Sequence, residues 1–487
     1  MRKASAVLFN RAHGYDAAKN TRRRGRRPDT AVRAEHYALD SNDRQRVIAT
    51  LLDYRRNNPV VASICRLRET DVVGPGLIPQ AQSGNEELDF ILEEKWKVFS
   101  RDPEVTRTMT MRELQQQLAS MPLIFGDGGL LLTSTGRVQL VEGDRIGTED
   151  ENTNSIIRRS TSTESEDEGR RSRIINGIEV NRVNRPIAYF VGTREDGNLQ
   201  DVRRIRASNF IFIKKRIRPT QIRGVPELAT VADDLQDLDE LDSIEILSSK
   251  VAASLSAIVK REGAMDFELA ARADDDEDNR LETFEPGSFQ YLEPGEDVSV
   301  ISSSGRPNTD IIDYSIYRLR KIGAAIGIPV EFLLMTIGKV SFSAAQGMIL
   351  LYQQTVESEQ RDLMPTLSRL WRWKVANWIA DGEITYDENF EDPFDVRWQP
   401  PSFRWVNRAA QVKADQAYLN MGAISLDDVS ATFGTDAETV LERKAKNITT
   451  AKRLAEEYDI ADWRDLMNPI STTLQGNIVD VMDMDRS

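Results

Sequence analysis

Between Pro226 and Trp378 two long helical patterns bracket an acidic insert punctuated by Pro and Gly, and a third helical pattern follows across one short loop. In the first, Leu235, Leu238, Leu241, Ile244, Leu247, Val251, Leu255 and Ile258 recur every three or four residues. This spacing predicts one apolar stripe from about Asp233 to Lys260. At ~1.5 Å rise per residue such a helix spans roughly 40 Å, more than a compact domain needs. The second pattern begins near Pro307-Asn308-Thr309, carries Ile312, Ile316, Leu319, Ile322 and Ile326 on one face, and stops at Gly327-Ile328-Pro329. The third starts around Ser343 and runs through Met348, Leu351, Leu363, Leu367 and Leu370, with a kink expected at Pro365. Long paired struts around a separate module suit a part of an assembly better than a small-molecule enzyme.

A chain of 487 residues can bury several cores, and three or four lobes are expected. The lone Cys65 excludes an intrachain disulfide framework, fits a reducing compartment and reads as core. His13 and His36 are the only histidines, so zinc sites and Cys/His or Ser/His/Asp catalysis lack supply. No catalytic residue, metal or cofactor is expected. The apolar run Ala4 to Phe9 after Arg2-Lys3 is shorter than the ~7–15 residues of a signal peptide core. The nearly uncharged stretch Ile322 to Ile337 contains Glu331, is broken at Pro329 and falls short of the ~20 residues of a bilayer span. Neither export nor a membrane segment is expected.

The net charge of −14 is unevenly spread. Up to Arg33 ten basic residues face only Asp16 and Asp29, so the arm is +8 and the remainder −22. Arg22, Arg23, Arg24, Arg26 and Arg27 concentrate this charge in residues 1–42, which lack apolar periodicity and read as a disordered arm. That arm is a candidate contact for nucleic acid or an acidic partner, and equally a solvated tail. An acidic body binds duplex DNA poorly, because tight binding requires phosphate neutralisation. It suits a surface that DNA passes without sticking.

From Asp43 to Val73 a helical pattern is interrupted at Asn57-Asn58-Pro59 and stops at Gly74-Pro75-Gly76. Helices through Leu88 to Phe99 and Met111 to Leu123 lead into Phe125-Gly126-Asp127-Gly128-Gly129. No Lys-Ser/Thr pair follows these glycines, so a turn entering a strand is the better reading than a phosphate loop. Residues 149–173 are polar and read as a surface loop. Short strands follow, including Ile187 to Val191 and Phe210 to Ile213, with the turn Asp196-Gly197-Asn198 between them. The run Lys214-Lys215-Arg216-Ile217-Arg218 reads either as a ligand patch or as the partner of an acidic segment. Within the insert, Asp274 to Asp278 lack the alternating ligands and glycine hinge of a calcium loop and read as a solvated run. Five tryptophans between Trp371 and Trp405 lie among acidic neighbours and read as core rather than base-stacking platforms. The last hundred residues read as helices, with capping signatures at Ser425-x-x-Asp428 and Thr435-x-x-Glu438.

The order of these words resembles the lambda-type portal proteins of tailed bacteriophages. Four stretches carry the resemblance: Arg223-Gly224-Val225-Pro226-Glu227-Leu228; Glu285-Pro286-Gly287 with Leu292-Glu293-Pro294-Gly295-Glu296; Leu319-Arg320 through Gly327-Ile328-Pro329-Val330-Glu331-Phe332-Leu333; and Lys413 through Ser425 with Gly434 to Glu438. It implies an α+β, mainly helical portal fold. Its parts would be a basic arm at 1–42, an α/β wing at 43–225, a first stem helix at 226–261 and a small clip with short strands at 262–304. A second stem helix would follow at 305–334, a tunnel loop at 335–342, a long kinked helix returning to the wing at 343–404, and a helical crown with the C-terminal tail at 405–487.

The resemblance also implies a homo-oligomeric ring of about twelve subunits at a capsid vertex in the virion, assembled in the host cytoplasm. Double-stranded DNA would pass through it in packaging and ejection. Glu285, Pro286, Gly287, Glu293, Pro294 and Gly295 would dock the large terminase subunit and later the head-tail connector proteins, and the major capsid protein would surround the ring. Thr336, Gly338, Lys339 and Ser341 would line the tunnel, with Lys339 projecting toward DNA as the one basic group of its loop. Gly338-Lys339 lacks a P-loop's upstream glycine and following Ser/Thr, so hydrolysis is expected from a partner. Two other readings remain open at the level of sequence: a metal-dependent nuclease built on Asp274 to Asp278, and a DNA-binding scaffold protein acting through the arm.

Overall fold

The computed structural model describes residues 39–148, 157–159, 172–253, 257–261, 296–300, 309–336, 341–389, 391–401, 408–431, 437–460 and 462–464. Helix α1 (Ser41–Asn57) is capped by Asp40, which accepts from the Asp43 N–H, and α2 (Pro59–Val73) by Asn58, which accepts from Val60 and Val61. Asn58 thus ends one helix and caps the next, and Pro59 stands where its missing N–H has no helical partner to lose. Gly74, with φ +52°, stops α2. Asn85 caps α3 (Glu86–Phe99), and a Thr110/Glu113 capping box opens α4 (Met111–Ile124).

Strand β1 (Ile78–Ala81) pairs antiparallel with β12 (Val396–Gln399), tying the late chain to the early helices. Strands β2 (Asp127–Leu132), β3 (Val138–Glu142) and β9 (Phe210–Lys214) form a sheet in the order β3-β2-β9. The glycine cluster is the start of β2, as the turn-into-strand reading expects. A Cβ on Gly129 would lie 2.1 Å from the Ile211 carbonyl oxygen, so only glycine lets β9 approach.

The five-stranded antiparallel sheet runs β4 (Ile157–Arg159), β5 (Ser172–Ile175), β6 (Ile178–Val180), β7 (Pro186–Glu195) and β8 (Asn198–Arg206). Asp196 and Gly197, both at positive φ, make the tight β7–β8 turn. The segment 149–173 is therefore not all loop: it contains β4, and β5 begins at Ser172. Its Arg-rich strands carry too little apolar alternation to announce themselves.

The first strut is corrected. Helix α5 (Ala232–Ala253) ends seven residues before Lys260, and β10 (Ala257–Arg261) pairs antiparallel with β11 (Glu296–Val300). The β-branched pair Ile258-Val259 fits a ladder opposite Ser299 and Val298 as well as it fits a helical stripe. Helix α6 (Thr309–Ile326) is the second strut, and α7 (Val330–Leu333) a single turn. Helix α8 (Phe342–Ala380) is continuous over 39 residues with Pro365 inside it. Helices α9 (Arg408–Asn420), α10 (Leu426–Ala431) and α11 (Ala437–Glu457) complete the described chain.

One large core joins α1, α2 and α4 to the start of α5, the end of α6 and the second half of α8 through Leu51, Ile64, Leu118, Leu235, Ile322 and Trp371. A smaller core under the five-stranded sheet holds Ile178, Tyr189 and Phe210. Trp371, Trp378 and Trp398 are buried, and Trp96 packs 5.2 Å from Trp371 and 5.8 Å from Trp398, as the core reading requires; Trp405 lies outside the described residues. Among the described residues no helix is long and apolar enough to cross a membrane.

Candidate functional site

Two struts and one loop carry the candidate channel. Helices α5 and α6 run antiparallel, clamped near the core by Arg318, which meets Asp234 at 3.2 Å and also pairs with Asp237, and by Lys321 at 3.3 Å from Asp234. The apolar stripe of α5 is buried at Leu235 and Leu238 but open beyond, where Ile244 and Leu247 are each 62% exposed. On α6 the order is reversed: Ile312, Tyr314 and Tyr317 are exposed, while Leu319, Ile322 and Ile326 are buried. The core ends of the struts are anchored by ion pairs and buried side chains, and beyond them Ile244, Leu247, Ile312, Tyr314 and Tyr317 stand exposed.

Helix α6 stops at Gly327, whose φ of +78° suits glycine. Phe332 stacks on Tyr352 of α8 at 5.0 Å, and the Ser63 hydroxyl donates to the Leu333 carbonyl at 3.2 Å. The Thr336 N–H closes on the Glu331 carbonyl at 2.9 Å. Ser341 caps α8, accepting from the Ala344 N–H. Thr336 and Ser341 are thus exposed posts at either end of the loop. Gly338 and Lys339 lie outside the described residues, as do Arg22, Arg23, Arg24, Arg26 and Arg27, the docking residues Glu285, Pro286, Gly287, Glu293, Pro294 and Gly295, the run Asp274 to Asp278, and both histidines.

What holds the struts to the rest of the chain is a pair of buried ion clusters that sequence reading missed. In the first, the fully buried Asp127 at the head of β2 accepts from Arg223 Nε at 2.7 Å and Nη2 at 2.9 Å, and from the Gly224 N–H at 2.7 Å. Arg44 of α1 lies 2.9 Å from the same carboxylate. Arg223 also donates to the carbonyls of Ile146, Asn176 and Gly143 at 2.6–2.7 Å, so all five of its N–H groups are used. Burial pushes the Asp127 carboxyl up, but Arg223 and Arg44 outweigh it and hold it below the usual carboxylate range. Burial and the charge of Arg223 lower Arg44 to about 10, still protonated at neutral pH.

In the second cluster, Arg68 of α2 and Lys215 after β9 share Glu227, in the turn before α5, and Glu359 of α8. Arg68 lies 3.2 Å from Glu227 and pairs more closely with Glu359, while Lys215 lies 3.2 Å from Glu227 and 2.5 Å from Glu359. Burial would raise Glu359, but Arg68 and Lys215 hold it below its ordinary value. One turn away Tyr352 donates to Asp71 at 2.7 Å, and Gln360 to the Val72 carbonyl at 3.0 Å. Of the basic run, Lys215 is thus turned onto carboxylates of its own chain, and Lys214, lowered to about 8 by burial, donates to the Gln221 and Ile222 carbonyls, while Arg216 is exposed.

The segment Arg223 to Glu227, which opens the first strut, is clamped at both ends. The signals available in the sequence were Arg223 and Glu227 themselves, but Asp127 and Arg68, with which they pair, stand 96 and 159 residues away and leave no local pattern. The clusters are closed ion pairs, suited to positioning rather than to reaction. Among the described residues no group of His, Cys, Asp and Glu could hold a metal ion. Cys65 is buried, and burial pushes its thiol up to about 11, which removes it as a nucleophile at neutral pH.

A family model described as phage portal protein, lambda family, matches residues 19–360. No curated protein matches. Among solved structures, a chain of the virion of a native gene transfer agent (GTA) particle is similar with a TM-score of 0.48 at 15% identity, over 79% of this chain and 93% of that one. A chain of the neck of the native GTA particle, computed with C12 symmetry, gives 0.47 at 14% identity over 77% and 90%. A chain of the neck of the empty particle, computed with C6 symmetry, gives 0.46 at 15% over 79% and 93%.

Proposed function

The chain belongs to the lambda family of phage portal proteins, and from that membership we propose that it forms a ring of about twelve copies at one vertex of the capsid, through which DNA is packaged and ejected. In this reading residues 43–225 are the wing, helices α5 and α6 the stem, the segment between them with its β10–β11 pair the clip that meets the large terminase subunit and then the head-tail connector proteins, 335–342 the tunnel loop, and 405–487 the crown. The major capsid protein surrounds the ring. The family is one of structural proteins, and the energy for packaging comes from the partner.

The observation that carries the ring is the open half of the stem. Ile244 and Leu247 on α5, with Ile312, Tyr314 and Tyr317 on α6, form apolar surface at the far ends of two struts whose near ends are locked into the core. Neighbouring copies set side by side would bury it, and a contact of this kind closes into a ring when its rotation does. Acidic residues along α5, including Asp233, Asp239, Glu240, Asp242 and Glu245, disfavour static phosphate binding. A ring of Lys339 side chains supplies weak contacts that DNA leaves quickly. The test is Lys339→Ala in an infection or packaging assay. Rings should form as in the parent while DNA packaged per head falls severalfold. Unchanged packaging would remove Lys339 from the mechanism.

A further inference from the structure

Resting on the ring reading, we propose a second contact between adjacent copies, in which the outer face of α3 receives the arginine-rich end of the five-stranded sheet of its neighbour. Helix α3 is apolar on two sides. Leu88, Leu92, Trp96 and Phe99 are buried against its own core. On the other side Glu87, Phe90, Ile91, Glu94 and Val98 follow one another at helical spacing, with Phe90 64% and Val98 60% exposed. A helix that serves one core carries a single apolar stripe with charges opposite. Here the opposite stripe is apolar as well, edged by the carboxylates of Glu86, Glu87 and Glu94. Among the described residues Glu86 and Glu87 make no ion pair, and Glu94 meets Lys97 of its own helix at 2.7 Å.

The complementary chemistry lies elsewhere on the same chain. Residues 172–223 hold twelve basic side chains against four acidic ones, in a chain of net charge −14. Arg194, Arg204, Lys215 and Arg223 are taken up by Asp144, Glu179, Glu227 with Glu359, and Asp127. Arg182, Arg185, Arg203 and Arg206 are exposed and make no ion pair among the described residues. Arg182 and Arg185 flank Val183, which is 79% exposed at the tip of the β6–β7 turn. That tip is held in shape by Asn181, whose side-chain oxygen accepts from the Val183 and Arg185 N–H groups at 3.0 and 2.9 Å. The register sets Arg206 opposite Ala188, two residues past the start of β7, so it stands at the same end of the sheet.

An apolar tip between two arginine forks matches an apolar stripe edged with glutamates. Val183 would meet Phe90 and Ile91 while the guanidinium groups pair with Glu87 and Glu94, a geometry in which arginine can hold carboxylates bidentately. A nucleic acid or a purely acidic partner would satisfy the arginines and leave the α3 stripe bare, which is why a second copy is the better occupant. The two patches differ from one another, so their contact is heterologous, and repetition by rotation closes it.

The test uses full-length protein in three forms: Arg182→Glu with Arg185→Glu, Glu87→Arg with Glu94→Arg, and all four changes together. Ring content is read by native mass spectrometry and fold by circular dichroism melting. Each pair of reversals should lower ring content about tenfold or more with the melting curve unchanged, and the fourfold exchange should restore it to within about threefold of the parent. The contact is overturned if either pair assembles like the parent. It is equally overturned if the folded fourfold variant fails to recover, or if reversed rings assemble normally but no longer enter capsids, which would give the patch to another protein. A parent chain that makes no ring at any concentration would instead defeat the ring reading itself, and this contact with it.

Discussion

Asp127 is the residue on which α1, β2 and the segment that opens the first strut converge. It is fully buried between Arg44 and Arg223, and Asp127→Asn leaves two buried guanidinium groups without a countercharge. A loss of about 3–5 kcal/mol is expected, read as a lower urea midpoint. The folded carboxyl titrates below its unfolded value of ~3.9, so its contribution is complete above that value and disappears as pH falls through the folded one. The Asn variant lacks that contribution at every pH and should lose stability less steeply in acid than the parent; parallel acid limbs would contradict this. Gly129→Ala tests the backbone side of the same region. Its methyl group would press on the Ile211 carbonyl, and a loss of about 1–3 kcal/mol is expected by thermal unfolding. A neutral result would mean that β2 and β9 are further apart than described.

At the scale of elements, what was legible followed from local rules. Asn58-Pro59 and Gly74-Pro75-Gly76 marked α1 and α2 because caps and breakers act within a few residues, and the 3.6-residue stripes found α6 and α8. The end of α5 was misread because Leu255 and Ile258 continue the stripe in the sequence although Ile258 belongs to β10; only the pairing of β10 with β11, some 40 residues away, decides it. β4 hid inside a polar segment for the same reason. Both ion clusters were invisible for a stronger version of it, since Arg68, Lys215, Glu227 and Glu359 are brought together only by the packing of α2, β9 and α8. That a short segment separates α7 from α8, with Thr336 and Ser341 at its ends, was legible from the break between two helical patterns.

Glu359→Gln is expected to destabilise by about 2 kcal/mol, less than the change at Asp127, because Arg68 keeps Glu227. Equal losses at the two sites would refute the shared-partner geometry. Helix α8 is also unevenly packed: Leu363, Leu367, Leu370, Trp371 and Val375 are buried, whereas Leu350 and Leu351 are exposed. In unassembled protein, amides from Met348 to Leu351 should therefore exchange hydrogen faster than those from Leu367 to Val375. Uniform protection along α8 would contradict that asymmetry.

At the scale of the whole molecule, the proposed ring rests on how the struts are built. These are locked where they leave the core and apolar where they extend from it. Ile244→Asp with Leu247→Asp changes side chains that are exposed in the single chain, so unfolding of the monomer should shift by less than about 0.5 kcal/mol while ring formation is lost. A large loss of monomer stability would place those residues in an internal core instead. The most direct test of the portal reading is native mass spectrometry of the full-length protein with negative-stain images of the same sample. Closed rings of about twelve copies around a central hole are expected, and a monomer or dimer at every concentration would contradict it.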